Sequence, residues 1–329
     1  MNLYEQQAAN RRKTWLVMLA FVAFFLFLGF GFDAFYIGAG GGFFPFGSVI
    51  ALGVGSVSAA SSYFSGDRAV LLSTHASAIE DLQAGATDAD RLKFHQLQNI
   101  VDEMSIASGL PRPKVYVVPD ADPNAFATGR DPDHASLAVT RGLLDTLDRE
   151  ELQGVVAHEM SHIRNLDVRV MTIIAALVGA VALLSDWAQR GMLSSGGSRS
   201  RSDRDDDRSS GFMGIIVWVV WLVAILIAPV LAQLLAMMVS RRREYLADAS
   251  GAELTRNPLG LARALGKIEA AAAPTVMVNR GTAHLCIADP LGRPVYVKEG
   301  RLAELFASHP PMRARIAALQ EMAFQRGTP

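Results

Sequence analysis

Four long apolar stretches constrain the fold of this 329-residue chain more than any other feature of its sequence. They run from Trp15 to about Ile37, from Phe43 to Phe64, from Val170 to about Leu184, and from Phe212 to Val239. A helix needs roughly 20 apolar residues to cross the hydrocarbon layer of a membrane. Half of all residues are hydrophobic, 19% are charged, and the mean hydropathy is +0.23. The sequence therefore predicts about four transmembrane helices joined to a water-soluble part.

The four stretches differ in how strongly they predict a span. The first is about twice as long as a signal-peptide core, which favours an uncleaved span over a cleaved secretory signal. The second is uncharged and rich in Gly and Ser, which suits close packing of helices in lipid. The third is short, so a shallow or tilted arm remains an alternative. The fourth is long, and Pro229 is expected to kink it.

Basic residues beside the spans predict their orientation. Arg11-Arg12-Lys13 precedes the first stretch and Arg241-Arg242-Arg243 follows the fourth, whereas the turn Gly38–Gly42 carries no charge. The positive-inside rule then places both termini, and with four spans the segment 65–169, in the cytoplasm. The Ser/Gly-rich loop 188–211 holds five Arg and four Asp, in mild conflict with that rule, and is typical of a disordered connector.

The apolar stretches divide the chain into four parts. Residues 1–64 form an N-terminal tail with two spans, and residues 65–169 a first cytoplasmic segment. Residues 170–239 form a second membrane hairpin, and residues 240–329 a second cytoplasmic segment. Acidic residues outnumber basic ones in the first soluble segment and the reverse holds in the second, so we expect the two to pack into one domain.

Residues 158–162 read His-Glu-Met-Ser-His at the end of a predicted helix over 149–167. A spacing of four residues places both imidazoles on one helix face, about one turn apart, where they can bind one zinc ion. Glu159 lies on the adjacent flank, where a carboxylate can take a proton from the attacking water. The alternative is a pair of surface histidines beside a solvated glutamate.

A hydrolytic zinc site needs a third protein ligand and one open position. Glu244 and Asp248 follow the fourth span on one predicted helix face, so one of them can bind the metal while the other hydrogen-bonds a ligand histidine. Ala247 beside them permits close approach of two helices. Acidic residues that merely balance the preceding arginines are the alternative.

Two further segments suggest contacts with a substrate. Predicted strands at 115–118 and 135–140 flank the segment 124–129, whose edge could hold an extended peptide by backbone pairing, although an ordinary strand after a turn is as consistent. His309, fixed before two prolines, could donate a hydrogen bond to an oxyanion, and Arg315 could support it or bind substrate backbone. His309 could equally be a plain loop residue.

The remaining metal-binding residue types are interpreted as structural. The single cysteine, Cys286, excludes an internal disulfide and is expected in the core. Four other histidines lack a ligand at suitable spacing: His75, His95, His134 and His284. The net charge of −1 gives no indication of a nucleic-acid partner.

Taken in order along the chain, these motifs resemble the HtpX family of membrane zinc metalloproteases, relatives of the CAAX prenyl proteases. The resemblance covers nearly the whole sequence. It rests on an N-terminal pair of spans, a second hydrophobic hairpin, and five motifs. The motifs are Gly109–Pro113, Asn124–Gly129, Leu152–His162, Arg243–Asp248, and Ser308–Pro311 with Arg315. The long charged loop 196–210 departs from a simple hairpin turn.

The resemblance implies an α-rich α+β fold, a gluzincin-like protease domain with a small β-sheet anchored in a bacterial inner membrane. It implies one zinc ion bound by His158, His162 and Glu244, with Glu159 as the general base. It also implies a role for Asp248 behind a ligand histidine, for Asn124 and Ala125 at a substrate-facing strand edge, and for His309 with Arg315 on the transition-state side of the cleft.

The implied function is cleavage of misfolded or damaged membrane proteins by a cytoplasm-facing site. Two alternatives remain. A narrow-specificity processing protease of the CAAX prenyl type would have more spans, and a non-catalytic membrane scaffold with a structural metal would have a closed four-ligand site. Neither the substrate sequence preference nor the oligomeric state follows from the sequence.

Overall fold

The computed structural model describes residues 3–38, 44–179, 241–271, 277, 282–288 and 310–327. Most of these residues are helical, and they include one small mixed β-sheet, which confirms the predicted α-rich α+β class. The loop 188–211, the fourth apolar stretch and His309 lie outside the described residues.

The helices and strands are numbered along the chain. The helices are α1 (Leu3–Gly38), α2 (Phe46–Ser73), α3 (Ile79–Gln83), α4 (Asp88–Ser108), α5 (Arg141–Thr146), α6 (Arg149–Arg164), α7 (described over 167–179), α8 (Arg241–Thr255), α9 (Pro258–Ala270) and α10 (Met312–Gly327). The strands are β1 (Ser77–Ala78), β2 (Lys114–Val118), β3 (Ala125–Gly129) and β4 (Ala135–Thr140).

Helices α1 and α2 are long and apolar enough to cross a membrane, and each contains an 18-residue window with a mean hydropathy of 2.5 and 1.3, respectively. Large apolar side chains of α1, among them Trp15, Leu19 and Phe30, are exposed in the protein and need lipid around them. At 36 residues α1 is about 54 Å long, well beyond the roughly 30 Å hydrocarbon layer. One end of α1 therefore reaches the soluble domain. Helix α2 continues to Ser73, past the predicted end of the second stretch at Phe64.

Small residues bring α1 and α2 into close contact, as predicted for the second stretch. A Cβ atom added at Gly29 would lie 2.5 Å from the carbonyl oxygen of Gly47. Asp33 of α1 then accepts hydrogen bonds from the backbone N–H groups of Gly47 (2.6 Å) and Ser48 (2.7 Å). The only charge of the first stretch thus caps the first turn of α2.

The sheet has the strand order β1-β2-β4-β3. Strands β2 and β4 are parallel, with Val115 opposite Leu137, and β3 is antiparallel to β4, with Ala125 opposite Val139. The two predicted strands are confirmed, and the segment 124–129 supplies a strand at the edge of the sheet.

Helix α6 lies in the core beside the sheet, α4, α8 and α9. Twelve of its 16 residues are buried, so the face that carries His158 and His162 is held by packing. Asp148 and Glu151 form a capping box that begins the helix. The helix ends at Arg164, three residues before the predicted end, because the chain turns at Leu166, whose φ of 59° is left-handed. Helix α7 follows directly.

Candidate metal centre

Three side chains converge between α6 and α8. The Nε2 atoms of His158 and His162 lie 3.2 Å apart. One Glu244 carboxylate oxygen lies 3.6 Å from Nε2 of His158, and the other lies 3.6 Å from Nε2 of His162. Zinc bonds of 2.0–2.2 Å in a tetrahedron separate ligand atoms by about 3.4 Å. The group therefore has the dimensions of a three-ligand zinc site.

Close packing of two helices builds this arrangement. Glu244, Ala247, Asp248 and Gly251 recur at three- and four-residue spacing on the face of α8 that contacts α6. A Cβ atom at Gly251 would lie 3.0 Å from the backbone nitrogen of His158, so this position accommodates no side chain without movement of the backbone. Ala247 is fully buried, as expected for a residue that allows close approach.

Glu159 lies beside the three ligands and is itself 2% exposed. Burial raises its pKa above the ordinary value, and the neighbouring imidazoles of His158 and His162 lower it only in part. Within the described residues, its carboxylate forms no hydrogen bond or ion pair. A buried, unpaired carboxylate is costly for a fold and is a recognised mark of a functional site.

Comparison with known proteins identifies the family. The model of peptidase family M48 matches residues 91–323, which include the two histidines, Glu159 and Glu244. The chain belongs to peptidase family M48. Since M48 proteins are metallopeptidases, the cluster of His158, His162 and Glu244 can hold the metal that this family uses.

Full-length relatives of this M48 chain carry the description "Protease HtpX homolog". The protein from Caldanaerobacter subterraneus subsp. tengcongensis is 41% identical over 97% of this chain and 98% of its own. The relative from Streptococcus gordonii is 40% identical over 97% and 100%, and that from Tropheryma whipplei 42% over 98% and 99%. The crystal structure of S. mikatae Ste24p covers 96% of this chain and 67% of its own, at 17% identity and a TM-score of 0.47. The M48 chain is a membrane metalloprotease.

Behind His158, the M48 site contains a buried ion-pair chain. Asp248 lies 3.0 Å from Nδ1 of His158 and accepts two hydrogen bonds from Arg315, at 2.8 and 2.7 Å. Burial raises the pKa of Asp248, but Arg315 and His158 outweigh it and hold the pKa below its usual value. Burial lowers the pKa of His158, but Asp248 and Glu244 outweigh it and raise the pKa to about 9. Of the two acids that spacing alone left open, Glu244 lies near both Nε2 atoms and Asp248 lies at Nδ1 of His158.

Arg315 is fully buried, and its predicted role on the transition-state side of the cleft stays a prediction. Besides Asp248 it donates to the carbonyl of Ile287 at 2.9 Å. Its guanidinium also lies 3.5 Å from a carboxylate oxygen of Glu244 and 3.5 Å from Nε2 of His158, so it contacts the candidate ligands as well.

His162 has a matching partner that sequence reasoning missed. Asp167 lies 3.2 Å from Nδ1 of His162 and also accepts hydrogen bonds from Arg243 (3.2 Å) and Asn10 (2.8 Å). Its signal in the sequence is weak, namely an Asp five residues after the second histidine. The observed turn at Leu166 is what directs its carboxylate back to the ring.

The edge strand β3 is partly occupied where the sequence predicted substrate contacts. The Ala125 carbonyl accepts a hydrogen bond from the N–H of Ile287 at 2.9 Å. The Asn124 side chain donates to the carbonyl of Ala288 at 3.1 Å and accepts from the N–H of Ala125 at 3.0 Å. Asn124 and Ala125 therefore hold the segment 282–288 against β3.

Other predicted positions complete the comparison. His309 lies outside the described residues, so its predicted role stays a prediction. Cys286 is free and buried in an apolar cluster, as predicted for a core residue. Among the described residues, the only group of three metal-binding side chains is the one formed by His158, His162 and Glu244.

Proposed function

We propose that this membrane metalloprotease is a zinc-dependent endopeptidase with one zinc ion per chain. His158, His162 and Glu244 bind the ion, and Glu159 is the general base. The observation that carries the proposal is the 3.2 Å approach of two imidazole Nε2 atoms, with Glu244 at 3.6 Å from both. These separations match those between the ligand atoms of one tetrahedral ion, and nitrogen with carboxylate ligands suits zinc.

The protein groups divide the chemistry among them. When bound, the ion would act as a Lewis acid that polarises the scissile carbonyl and lowers the pKa of the attacking water. Glu159 accepts the proton of that water and delivers it to the leaving amine, a task for which its raised pKa suits it. Asp248 and Asp167 bind the Nδ1 atoms and thereby direct both Nε2 lone pairs at the ion.

The substrate peptide pairs with the outer edge of β3 in this proposal. In the antiparallel ladder with β4, residues 125, 127 and 129 direct their backbone groups away from β4. Ala125 is engaged by Ile287, and the N–H of Gly129 by the hydroxyl of Thr172 at 3.0 Å. Ala127 lies between these two positions with its side chain buried, and in this proposal its outward-directed backbone groups pair with an extended peptide.

The two predicted transition-state residues receive different roles. Arg315 positions Asp248 and, through it, His158, because its donors are used inside the protein. His309 stays assigned to the oxyanion, on sequence grounds alone.

The cellular role follows from the same family and from the charge pattern. We assign the chain to the bacterial inner membrane with four spans, both termini and the active site in the cytoplasm, and damaged or misfolded membrane proteins as substrates. The four-part division at residues 64, 169 and 239 belongs to this proposal. The basic clusters at 11–13 and 241–243 support the orientation.

Glu159→Gln tests the site. We expect the variant to bind zinc like the wild type and to lose about 10²–10⁴-fold in casein cleavage, since it retains the ligands and lacks the base. Zinc content and cleavage are measured on detergent-purified protein. The control is Glu150→Gln, an exposed position on the same helix, which should behave like the wild type. Cleavage by Glu159→Gln at the wild-type rate would contradict the proposal.

Substrate choice separates the alternatives. A CAAX-type processing enzyme would cleave a prenylated peptide and leave unfolded casein intact, whereas we expect the reverse. A scaffold would bind zinc without cleaving either. Within the part of the chain that the structure describes, the group has three ligands, whereas a structural zinc takes four protein ligands.

Single cysteines test the orientation. Because Cys286 is buried, the native chain should react poorly with thiol reagents. Ala107→Cys, exposed on α4, should be labelled only after the membrane is opened, whereas Gly40→Cys in the turn after the first span should be labelled from outside. The opposite pattern would reverse the proposed topology.

A further inference from the structure

The N-terminal end of α1 contacts the metal centre. The first apolar stretch begins at Trp15, and the helical residues before it pack against the soluble domain. Along one face of this part, Gln6, Asn10 and Thr14 are buried, and Asn10 is only 2% exposed. A polar tail that merely preceded a span would face water, so these residues have a partner surface.

That partner is the end of α6. Gln7 donates to the carbonyl of Arg164 at 2.8 Å, and Asn10 donates to the carbonyl of Asn165 at 2.9 Å. The last carbonyls of a helix have no partner within it. The two side-chain amides of α1 therefore supply hydrogen-bond donors to backbone carbonyls at the end of the helix that carries His162.

Asn10 also reaches the carboxylate behind the metal ligand. Its Nδ2 atom lies 2.8 Å from Oδ1 of Asp167, whose Oδ2 atom lies 3.2 Å from Nδ1 of His162. Asp167 is fully buried, and the turn that brings it there passes through Leu166 at a φ of 59°. A leucine in the left-handed region is strained and persists only where surrounding contacts hold it.

We propose that Asn10 is a positioning residue for the metal ligand His162. It holds the turn 164–166 and the Asp167 carboxylate, which in turn fixes the tautomer and direction of the imidazole. The residues of α1 that precede the membrane span are thus a part of the metal centre, although they lie more than 140 positions away in sequence. This inference rests on the proposed zinc site.

Asn10→Asp tests the inference, because it retains the size of the side chain, removes the donor and places a second carboxylate beside Asp167. Substitution of the residues that hold metal ligands in place typically lowers metal affinity 10–100-fold. We expect Asn10→Asp to raise the zinc dissociation constant by at least tenfold in chelator competition, and to shift the visible spectrum of the cobalt-substituted protein. Both readouts use the metal alone.

Thr14→Val is the matched control. Thr14 is buried one turn further along the same face, and its hydroxyl donates to the Asn10 carbonyl at 2.9 Å without touching Asp167. This variant should retain wild-type metal affinity and spectrum. If it loosened the metal as much as Asn10→Asp, or if Asn10→Asp left affinity and spectrum unchanged, the positioning role would be wrong.

A double-mutant comparison guards against general loss of folding. Asn10→Leu, Asp167→Asn and the double variant form a cycle in which the double variant should lose less metal affinity than the sum of the two single losses, since both changes interrupt one chain of contacts. Additive losses would show independent damage and overturn the proposal. A wild-type protein that binds no zinc would instead refute the proposed function, so the two failures are distinguishable.

Discussion

At the scale of single residues, the site contains two sets of buried ion pairs, one at each histidine. Arg315 and Asp248 stand behind His158, and Arg243 and Asp167 stand behind His162. Each ligand histidine thus has a carboxylate on Nδ1, and each carboxylate has an arginine. Buried charges are tolerated in a protein when they are paired in this way.

Arg315 gives the sharpest prediction at this scale. Arg315→Met should reduce the free energy of unfolding by about 3–5 kcal/mol, because removal of one partner leaves the buried Asp248 carboxylate undercompensated. Zinc affinity should fall with it, since Asp248 orients His158. Chemical unfolding and zinc titration in detergent measure the two effects.

The control for Arg315 lies two residues away. Arg313 is exposed on the same helix, and Arg313→Met should change stability by no more than about 0.5 kcal/mol. If Arg315 bound substrate directly, Arg315→Met would lower kcat/KM and leave stability and zinc affinity intact. That outcome would restore the role predicted from the sequence.

At the scale of secondary-structure elements, the site depends on how closely α8 approaches α6. Two glycines allow close packing on two different sides of α6. Gly251 of α8 faces the His158 backbone, and Gly154 of α6 faces the backbone of Leu261 on α9, 2.8 Å from where a Cβ would lie. Helix α6 therefore packs between α8 and α9 with close backbone-to-backbone contacts on both sides.

Two identical substitutions test this packing. Gly251→Ala places a Cβ 3.0 Å from the His158 nitrogen, and overpacking of this kind costs about 1–3 kcal/mol. Because α8 must shift, zinc affinity should fall as well. Gly266→Ala on α9 meets nothing within 4 Å and should stabilise the protein by about 0.5–1 kcal/mol. Equal effects of the two variants on zinc affinity would contradict this close packing at Gly251.

At the scale of the whole molecule, the proposed metal centre brings together parts of the chain that are far apart in sequence. Its three candidate ligands come from α6 and α8, and Asn10 of α1 and Arg315 of α10 contact the carboxylates behind them. Segments more than 300 positions apart therefore meet at one buried centre.

Metal removal should consequently destabilise the entire soluble domain. A ligand that binds only the folded state stabilises it by about 4 kcal/mol at a thousandfold excess over its dissociation constant. We expect a chelator to lower the thermal midpoint of the soluble domain and added zinc to restore it. Glu159→Gln should show the same zinc-dependent shift as the wild type, because Glu159 is not a ligand. A midpoint that does not respond to zinc would contradict a metal held between α6 and α8.

Many features of this protein could be predicted from local patterns in its sequence. Spacing of four residues on a helix is a local property, so the pair His158 and His162 could be identified without a fold. The strands 115–118 and 135–140, the two N-terminal spans and the pairing of Glu244 with Asp248 on one face follow from equally local periodicities. The order of these motifs along the chain was sufficient to identify the family.

Only the tertiary structure decided what lies behind His162. Glu244 and Asp248 are alternatives by spacing alone, and the resemblance to the HtpX family assigned their roles. The structure adds the physical reason, because the approach of α8 to α6 at Gly251 aims Glu244 at the Nε2 atoms and Asp248 at Nδ1 of His158. Asp167 and Asn10 have no signal at helical spacing, since a turn and a separate helix bring them together. A contact between distant segments depends on packing, and packing is a property of the whole fold rather than of any window of sequence.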